Sequence, residues 1–217
     1  MKALAFDLYG TLVDLGGLEA AVAKVMKKPK EFVATWRAKQ MEYTFLLGLM
    51  GRYLSFGDVT ARALAATCAR LGVDAGAKAR ESLMQRWREL PAFPDVAPAL
   101  KALQPRIPLA VLSNAEIAMA VETLKHAGLE SFFMQVLSAD EVRTFKPNPR
   151  VYRLAAMRLH LDPKDIFLVS TNSFDVMGAK AAGLGALWVN RAKEEFESLD
   201  LRPDAELRDF STLTDHV

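Results

Sequence analysis

Asp7 closes a short apolar run, Ala3–Phe6, and the residue two places after it decides what kind of chemistry it can do. A second acid at that place, ahead of Gly10-Thr11-Leu12, would give one strand end two carboxylates able to hold magnesium for phosphoryl transfer. This chain has Tyr9 there, and a neutral phenol is a poor ligand for a hard cation that wants charged oxygens. Asp7 therefore reads as a carboxylate left free to act as a nucleophile itself. Three further polar groups stand in comparable places. Ser113 and Asn114 follow Leu109–Leu112. Lys146 lies in Phe145-Lys146-Pro147-Asn148-Pro149, just before a helix. Ser170, Asn172 and Asp175 follow Phe167–Val169. Singly, each has an ordinary reading: an Asp as a helix cap, a Ser-Asn pair as a turn, a Lys before Pro as an exposed side chain. Together, in this order on this pattern of runs, they read as a site.

The elements that must position them follow from the same runs. Ala3–Phe6, Leu109–Leu112, Phe167–Val169 and Ala186–Val189 are short and isolated enough to be buried parallel strands. Helical patterns follow most of them; Ala118–Ala127 stops at Gly128 and Val176–Ala182 at Gly183, as glycine C-caps do. Strand and helix in alternation predict an open α/β sheet with helices on both faces, which collects ligands at the carboxyl ends of its strands. From about Gly16 to Phe93 the rhythm breaks. Phe32–Met50 is amphipathic, with Phe32, Trp36, Gln40, Tyr43 and Leu47 near one face. Asp58–Leu71 is a second helix stopped at Gly72, and Glu81–Leu90 a third carrying Leu83, Met84 and Trp87. This stretch reads as an all-helical insert placed after the first strand.

The composition is that of an ordinary globular chain: 217 residues, 51% hydrophobic, 25% charged, formal net charge +2. No nucleic-acid or membrane field follows from that charge. The basic stretch Lys24–Lys30 lacks interleaved aromatics and reads as a solvated loop. Cys68 has no partner for a disulfide and sits on a helical pattern as a buried thiol. The opening apolar run is broken at Asp7, too early for a secretory signal, and the expected setting is the cytoplasm.

The chain resembles the haloacid dehalogenase superfamily, and within it the L-2-haloacid dehalogenases. In the core the resemblance rests on Phe6-Asp7-Leu8-Tyr9-Gly10-Thr11-Leu12, Leu112-Ser113-Asn114, Lys146-Pro147-Asn148-Pro149-Arg150-Val151-Tyr152 and Val169-Ser170-Thr171-Asn172-Ser173-Phe174-Asp175. In the insert it rests on Trp36-Arg37-Ala38-Lys39-Gln40-Met41-Glu42-Tyr43-Thr44, and Trp188-Val189-Asn190-Arg191 also fits. It implies a Rossmann-like α/β core of residues 1–14 and 95–217 with a parallel sheet, and a helical cap of residues 15–94. Phosphatases of the superfamily present Gly-Asp-Ser-x-x-Asp after the fourth strand. Here Ser170 and Thr171 stand in place of the Gly and first Asp, so two charged metal donors are missing, Tyr9 included.

The activity implied is hydrolysis of short L-2-haloalkanoic acids with no cofactor and no metal; haloacetates and fluoroacetate are candidate further substrates, and the sequence does not say which halogen is preferred. Asp7 would be the nucleophile and Lys146 would keep it ionised. Asp175 would activate water, positioned by Asn172, Ser170 and Thr11, and Tyr152 would hydrogen-bond near Lys146 and Asp7. Arg37, Asn114 and the edge of Phe174 would take the halide. Ser113 and the amides near Leu8 and Tyr9 would hold the substrate carboxylate. Tyr9, Met41, Phe56 and Phe174 would wall the pocket. The partners implied are a small halogenated acid, halide and a second copy of the chain in a homodimer. Plainer readings stand beside these: Arg37 as a surface residue, Met41 and Phe56 as packing of the insert, Tyr9 and Tyr152 as core tyrosines with satisfied hydroxyls. A phosphatase with other metal ligands and a catalytically silent protein of the same fold are the alternative functions.

Overall fold

The computed structural model describes residues 1–217. Its strands are β1 (Ala3–Phe6), β2 (Leu109–Ser113), β3 (Gln135–Ser138), β4 (Ile166–Ser170), β5 (Gly185–Val189) and β6 (Ala205–Leu207). Its helices are α1 (Glu19–Val22), α2 (Pro29–Leu49), α3 (Phe56–Leu71), α4 (Ala77–Arg88), α5 (Val96–Leu103), α6 (Ile117–His126), α7 (Pro149–Leu159) and α8 (Ser173–Ala181). The strands form one parallel sheet in the order β3-β2-β1-β4-β5-β6. The chain thus adds strands to one side of β1 and then to the other. The carboxyl end of β1 lies at the reversal, which is where open sheets of this kind bind ligands.

Alternation along each strand builds two apolar layers. Leu4 and Phe6 join Leu109, Val111, Val169 and Leu187 on one face, beneath Val96, Leu100, Met119 and Leu124 from α5 and α6. Ala3 and Ala5 join Ile166, Leu168, Ala186 and Trp188 on the other, against Val151 and Ala155 of α7 and Val176 and Ala179 of α8. The four inner strands are the ones the apolar runs predict. The edge strands β3 and β6 carry no such run, because each has only one neighbour in the sheet: Gln135 and Val136 are partly exposed and Glu206 is exposed.

Between β1 and α5 lie four helices and no strand. In α2 the buried side chains are Phe32, Val33, Trp36, Gln40 and Thr44. The expected stripe drifts by one residue, so Tyr43 and Leu47 are only partly buried. Helix α3 begins at Phe56, two residues before Asp58, because the Ser55 hydroxyl caps it by accepting from the Asp58 amide. It ends at Gly72, whose φ of +63° suits a left-handed cap. The side chains inside the insert, Phe32, Trp36, Val59, Leu64 and Trp87, are continuous with Phe6, Leu12 and Val13 in one apolar cluster. The insert is therefore welded to one face of the sheet through the turn that follows Asp7. No helix is long and apolar enough to cross a membrane.

Candidate active site

Asp7 prolongs β1 by one rung, its amide donating to the Val169 carbonyl at 3.0 Å. The chain then reverses. The Leu8 carbonyl accepts from the Leu12 and Val13 amides at 2.9 and 3.1 Å, and the turn needs a φ of +86° at Gly10, a conformation glycine adopts freely. The amides of Leu8 and Tyr9 have no acceptor within the chain. Both residues are buried, so two unpaired donors face the interior at this turn.

Three charges meet beside it. Lys146 Nζ lies 3.1 Å from Asp7 Oδ1 and 2.7 Å from Asp175 Oδ2. Asp7 Oδ2 accepts from Asn172 Nδ2 at 2.8 Å and from the Thr11 hydroxyl at 3.0 Å. Asp175 Oδ1 accepts from the Tyr152 hydroxyl at 2.8 Å. Asp7, Lys146 and Asp175 are 7%, 2% and 0% exposed, so one ammonium serves two carboxylates almost out of water. Burial pushes the Asp175 carboxyl up; Lys146 pulls it back and the charge of Asp7 pushes it further, for a net rise above the ordinary value. Burial alone would lower the Lys146 ammonium, but Asp175 and Asp7 outweigh it and hold it above its ordinary value. The Tyr152 phenol is pushed well up by burial and by Asp175, so it stays a donor.

The supporting contacts follow the strand ends. Asn114 Oδ1 accepts from the Lys146 amide at 2.8 Å and so fixes the lysine backbone. Ser113 Oγ accepts from the Ala115 amide at 3.1 Å, and Ser170 Oγ from the Asn172 amide at 3.1 Å. One placement differs from the sequence reading. Thr11 and Asn172 donate to Asp7 and not to a place beside Asp175, because Asp7 Oδ2 is the acceptor within reach. Tyr152 lies near Lys146, as the resemblance implies, through the Asp175 carboxylate that both of them bond.

The insert contributes the opposite wall. Arg37 is partly buried and turned inward: Nη1 donates to Gln40 Oε1 at 2.7 Å and Nη2 to the Tyr9 carbonyl at 3.5 Å. The reading of Arg37 as a surface residue is thereby set aside, while Trp36 beside it fills the interior of the insert. Burial lowers the Arg37 guanidinium from its ordinary value, against the nearby charges of Asp7 and Asp175. The Tyr9 ring stacks on Phe56 and leans on Trp87, each 5.8 Å between centroids, and its hydroxyl pairs with Thr123 Oγ1 at 3.0 Å. Met41, one turn beyond Arg37 on α2, is partly buried. Phe174 packs edge-on against Phe45, 5.2 Å between centroids. A largely apolar groove of about 560 Å³ runs between α2 and α8 and is lined by Lys146, Phe45, Phe174 and Met177; Asp7 and Arg37 do not line it. Thr123, Thr60 and Glu116, which accepts from the Gly57 amide at 3.3 Å, are site supports that the sequence reading missed.

The donor set does not fit magnesium. Tyr9 turns its hydroxyl to Thr123, Thr171 donates its own to the Gly10 carbonyl, and the two remaining carboxylates share Lys146. Nowhere do three His, Cys, Asp or Glu side chains form a group able to hold a metal.

The Tyr152–Asp175 contact depends on the absence of a side chain at position 178. A Cβ there would lie 2.4 Å from the Tyr152 hydroxyl and 2.7 Å from Pro147 Cβ. Gly178→Ala is therefore expected to lose about 1–3 kcal/mol by overpacking, read by denaturant unfolding. It should also lower any activity that needs Asp175, by displacing the phenol. An alanine variant as stable and active as the parent would show that the contact is slack.

Comparison with known proteins agrees with this arrangement. The haloacid dehalogenase-like hydrolase profile matches residues 1–183. An (S)-2-haloacid dehalogenase of Pseudomonas sp. (strain YL) is 39% identical over 209 residues, covering 95% of this chain and 90% of that protein. The crystal structure of the L-2-haloacid dehalogenase RSc1362 superposes with a TM-score of 0.97 at 35% identity, covering 100% of this chain and 98% of that one. The L-2-haloacid dehalogenase from Xanthobacter autotrophicus, solved with chloropropionic acid covalently bound, gives 0.93 at 32% identity and covers 99% and 97% of the two chains. With its sheet, helical insert and carboxylate–lysine cluster, this chain belongs to the haloacid dehalogenase-like hydrolases.

Proposed function

We propose that the chain hydrolyses the carbon–halogen bond of short L-2-haloalkanoic acids, without a metal, through an ester on Asp7. The observation that carries this reading is the state of Asp7: a buried carboxylate held by Lys146, Thr11 and Asn172 where the magnesium donors of a phosphatase are missing. The covalent chloropropionic acid in the Xanthobacter autotrophicus protein supports it by relationship.

In the first step an Asp7 oxygen attacks C2 from the side opposite the halogen. The new C–O bond forms as the C–halogen bond breaks, and the halide leaves with the bonding pair. Arg37, Asn114 and the edge of Phe174 receive it; a guanidinium suits a halide because it keeps its charge and is weakly hydrated. Ser113 and the free amides of Leu8 and Tyr9 hold the substrate carboxylate. Tyr9, Met41, Phe56 and Phe174 surround its short apolar part. The ester leaves Asp7 neutral, so Lys146 then answers to one carboxylate instead of two. In the second step water adds to the ester carbonyl while Asp175 takes its proton, with Ser170 and Asn172 at the turn alongside. The bond between the Asp7 carbonyl carbon and the substrate oxygen then breaks, that oxygen takes the proton back from Asp175 as the hydroxy acid leaves, and Asp7 is restored as a carboxylate with one oxygen from water, the second water proton passing to solvent. A single displacement at C2 inverts it, so the product is the D-2-hydroxy acid. A cytoplasmic homodimer belongs to the same reading through the family resemblance, and sedimentation of the purified chain tests the dimer.

The deciding experiment follows chloride release from L-2-chloropropionate in excess chelator, in water enriched in heavy oxygen. Steady release with the heavy isotope entering the Asp7 peptide is expected. No release, or release with that peptide unlabelled, overturns the reading. Fluoro-, chloro- and bromoacetate in the same assay rank the halogens.

A further inference from the structure

A glutamine with 0% exposure in the middle of an apolar helix face requires a reason, since an amide is costly to bury unless both its ends are bonded. Gln40 is such a residue, on the side of α2 that packs against α3. The geometry points to Gln40 as the positioning residue for Arg37, an inference that rests on the reading of Arg37 as the halide receiver.

Arg37 and Gln40 are three apart on α2 and so are neighbours on its surface. Arg37 Nη1 donates to Gln40 Oε1 at 2.7 Å. Gln40 Nε2 donates to Thr60 Oγ1 at 2.5 Å, and Thr60 Oγ1 donates to the Phe56 carbonyl at 2.7 Å. The sense of this chain is forced from one end. A guanidinium only donates, so the amide oxygen must face it. The amide nitrogen must then face Thr60, and the Thr60 hydroxyl must pass its own proton onward to the backbone. Trp36 Nε1 donates to the Thr60 carbonyl at 2.9 Å and fixes α3 against α2 at the same point. The chain ends at Phe56, whose ring stacks on Tyr9, and Arg37 Nη2 faces the Tyr9 carbonyl. The planar fork is thus held at two corners, and its remaining N–H groups keep one direction for an incoming anion. Without Gln40 the long side chain would have to be ordered anew at each turnover.

A glutamine that merely joined α2 to α3 would affect stability and nothing else, and the test separates the two roles. Bromide binding is measured by calorimetry on the whole chain, alongside kcat and KM for L-2-chloropropionate and thermal unfolding, for the parent, Gln40→Met, Thr60→Val and Thr60→Ser. Gln40→Met fills the same volume without either hydrogen bond. It is expected to weaken bromide binding about ten- to a hundredfold and to lower kcat by a similar factor with KM little changed, because the leaving halide is misdirected. Thr60→Val should move both readouts the same way by less, and Thr60→Ser should restore them. Unchanged bromide affinity and kcat in folded Gln40→Met overturn the inference whatever happens to the melting temperature; if that variant fails to fold, Thr60→Val decides by the same readouts. Should the parent bind bromide but release no halide, the dehalogenase reading falls while the bromide titrations still judge Gln40. A parent that binds no bromide overturns the inference itself.

Discussion

Asp175→Asn is expected to release one halide per active site in a burst and then to turn over only very slowly. In the proposed mechanism the first displacement asks only for an ionised Asp7 beside Lys146, and asparagine keeps the volume that Tyr152 and Lys146 pack against. The second step needs a base for the attacking water, and an amide has none to offer. Burial has raised the Asp175 carboxyl above its ordinary value, which makes it a stronger base than an exposed aspartate. Multiple turnover is therefore expected to fall by about 10²–10⁴-fold. A rapid burst of halide should equal the enzyme concentration, and the Asp7 peptide should gain the mass of the substrate less its halide. Asp7→Asn should give neither burst nor mass gain. The pH dependence has a definite sign. If Asp175 is the base that the proposed mechanism makes it, water activation requires its ionised form, so turnover by the parent should fall as the pH drops through a value above the ordinary carboxylate range of about 4. The burst of the asparagine variant should lack that limb. An Asp175→Asn protein that turns over at the parental rate would place the base elsewhere.

Two of those three residues could be found in the sequence because each follows an all-apolar run, and such runs exist where a strand is covered on both faces. Asp7 after β1 and Asp175 after β4 are marked in this way, and Lys146 by the prolines around it. The same physics hid β3 and β6, whose open edges tolerate Gln135 and Glu206 and leave no run to see. Directions of side chains were less legible. That Trp36 faces the interior of the insert and Arg37 the core is decided by how α2 lies across the turn after Asp7, a long-range fact. Tyr9 paired with Thr123, 114 residues away, carries no local signal at all. Gln40 did carry one, as the polar member of the stripe Phe32, Trp36, Gln40, but a stripe does not say what its odd member is bonded to. The resemblance supplied the roles of Thr11, Asn172 and Tyr152; their partners came from the packing of α7 and α8 against the sheet.

Lys146→Met should abolish halide release and also destabilise the fold, by about 3–5 kcal/mol at neutral pH, because removing one member of a buried ionic group strands the others. Here two are stranded. Asp7 and Asp175 would face one another without the ammonium that now lies within 3.1 and 2.7 Å of them. Asp175, 0% exposed, cannot turn to water, so its escape is to take up a proton. The sign of the pH effect follows. A carboxyl whose folded pKa is raised binds a proton more readily folded than unfolded. Its charged form penalises the fold increasingly as pH rises through that folded pKa, and the penalty is gone below the unfolded value. The variant's deficit should thus be widest near neutrality and narrow steadily as the pH is lowered. In the parent, Lys146 acts at the other end: its folded pKa lies above the ordinary lysine value, so its stabilisation persists to about pH 10 and is lost as the pH climbs further. Denaturant unfolding across this range measures both. Lys2→Met, which removes an exposed pair with Asp165, is the control and should unfold like the parent. A Lys146→Met deficit that stayed constant with pH would mean that the two carboxylates do not depend on one shared charge, and the buried ammonium would then be an accessory to this cluster and not its centre.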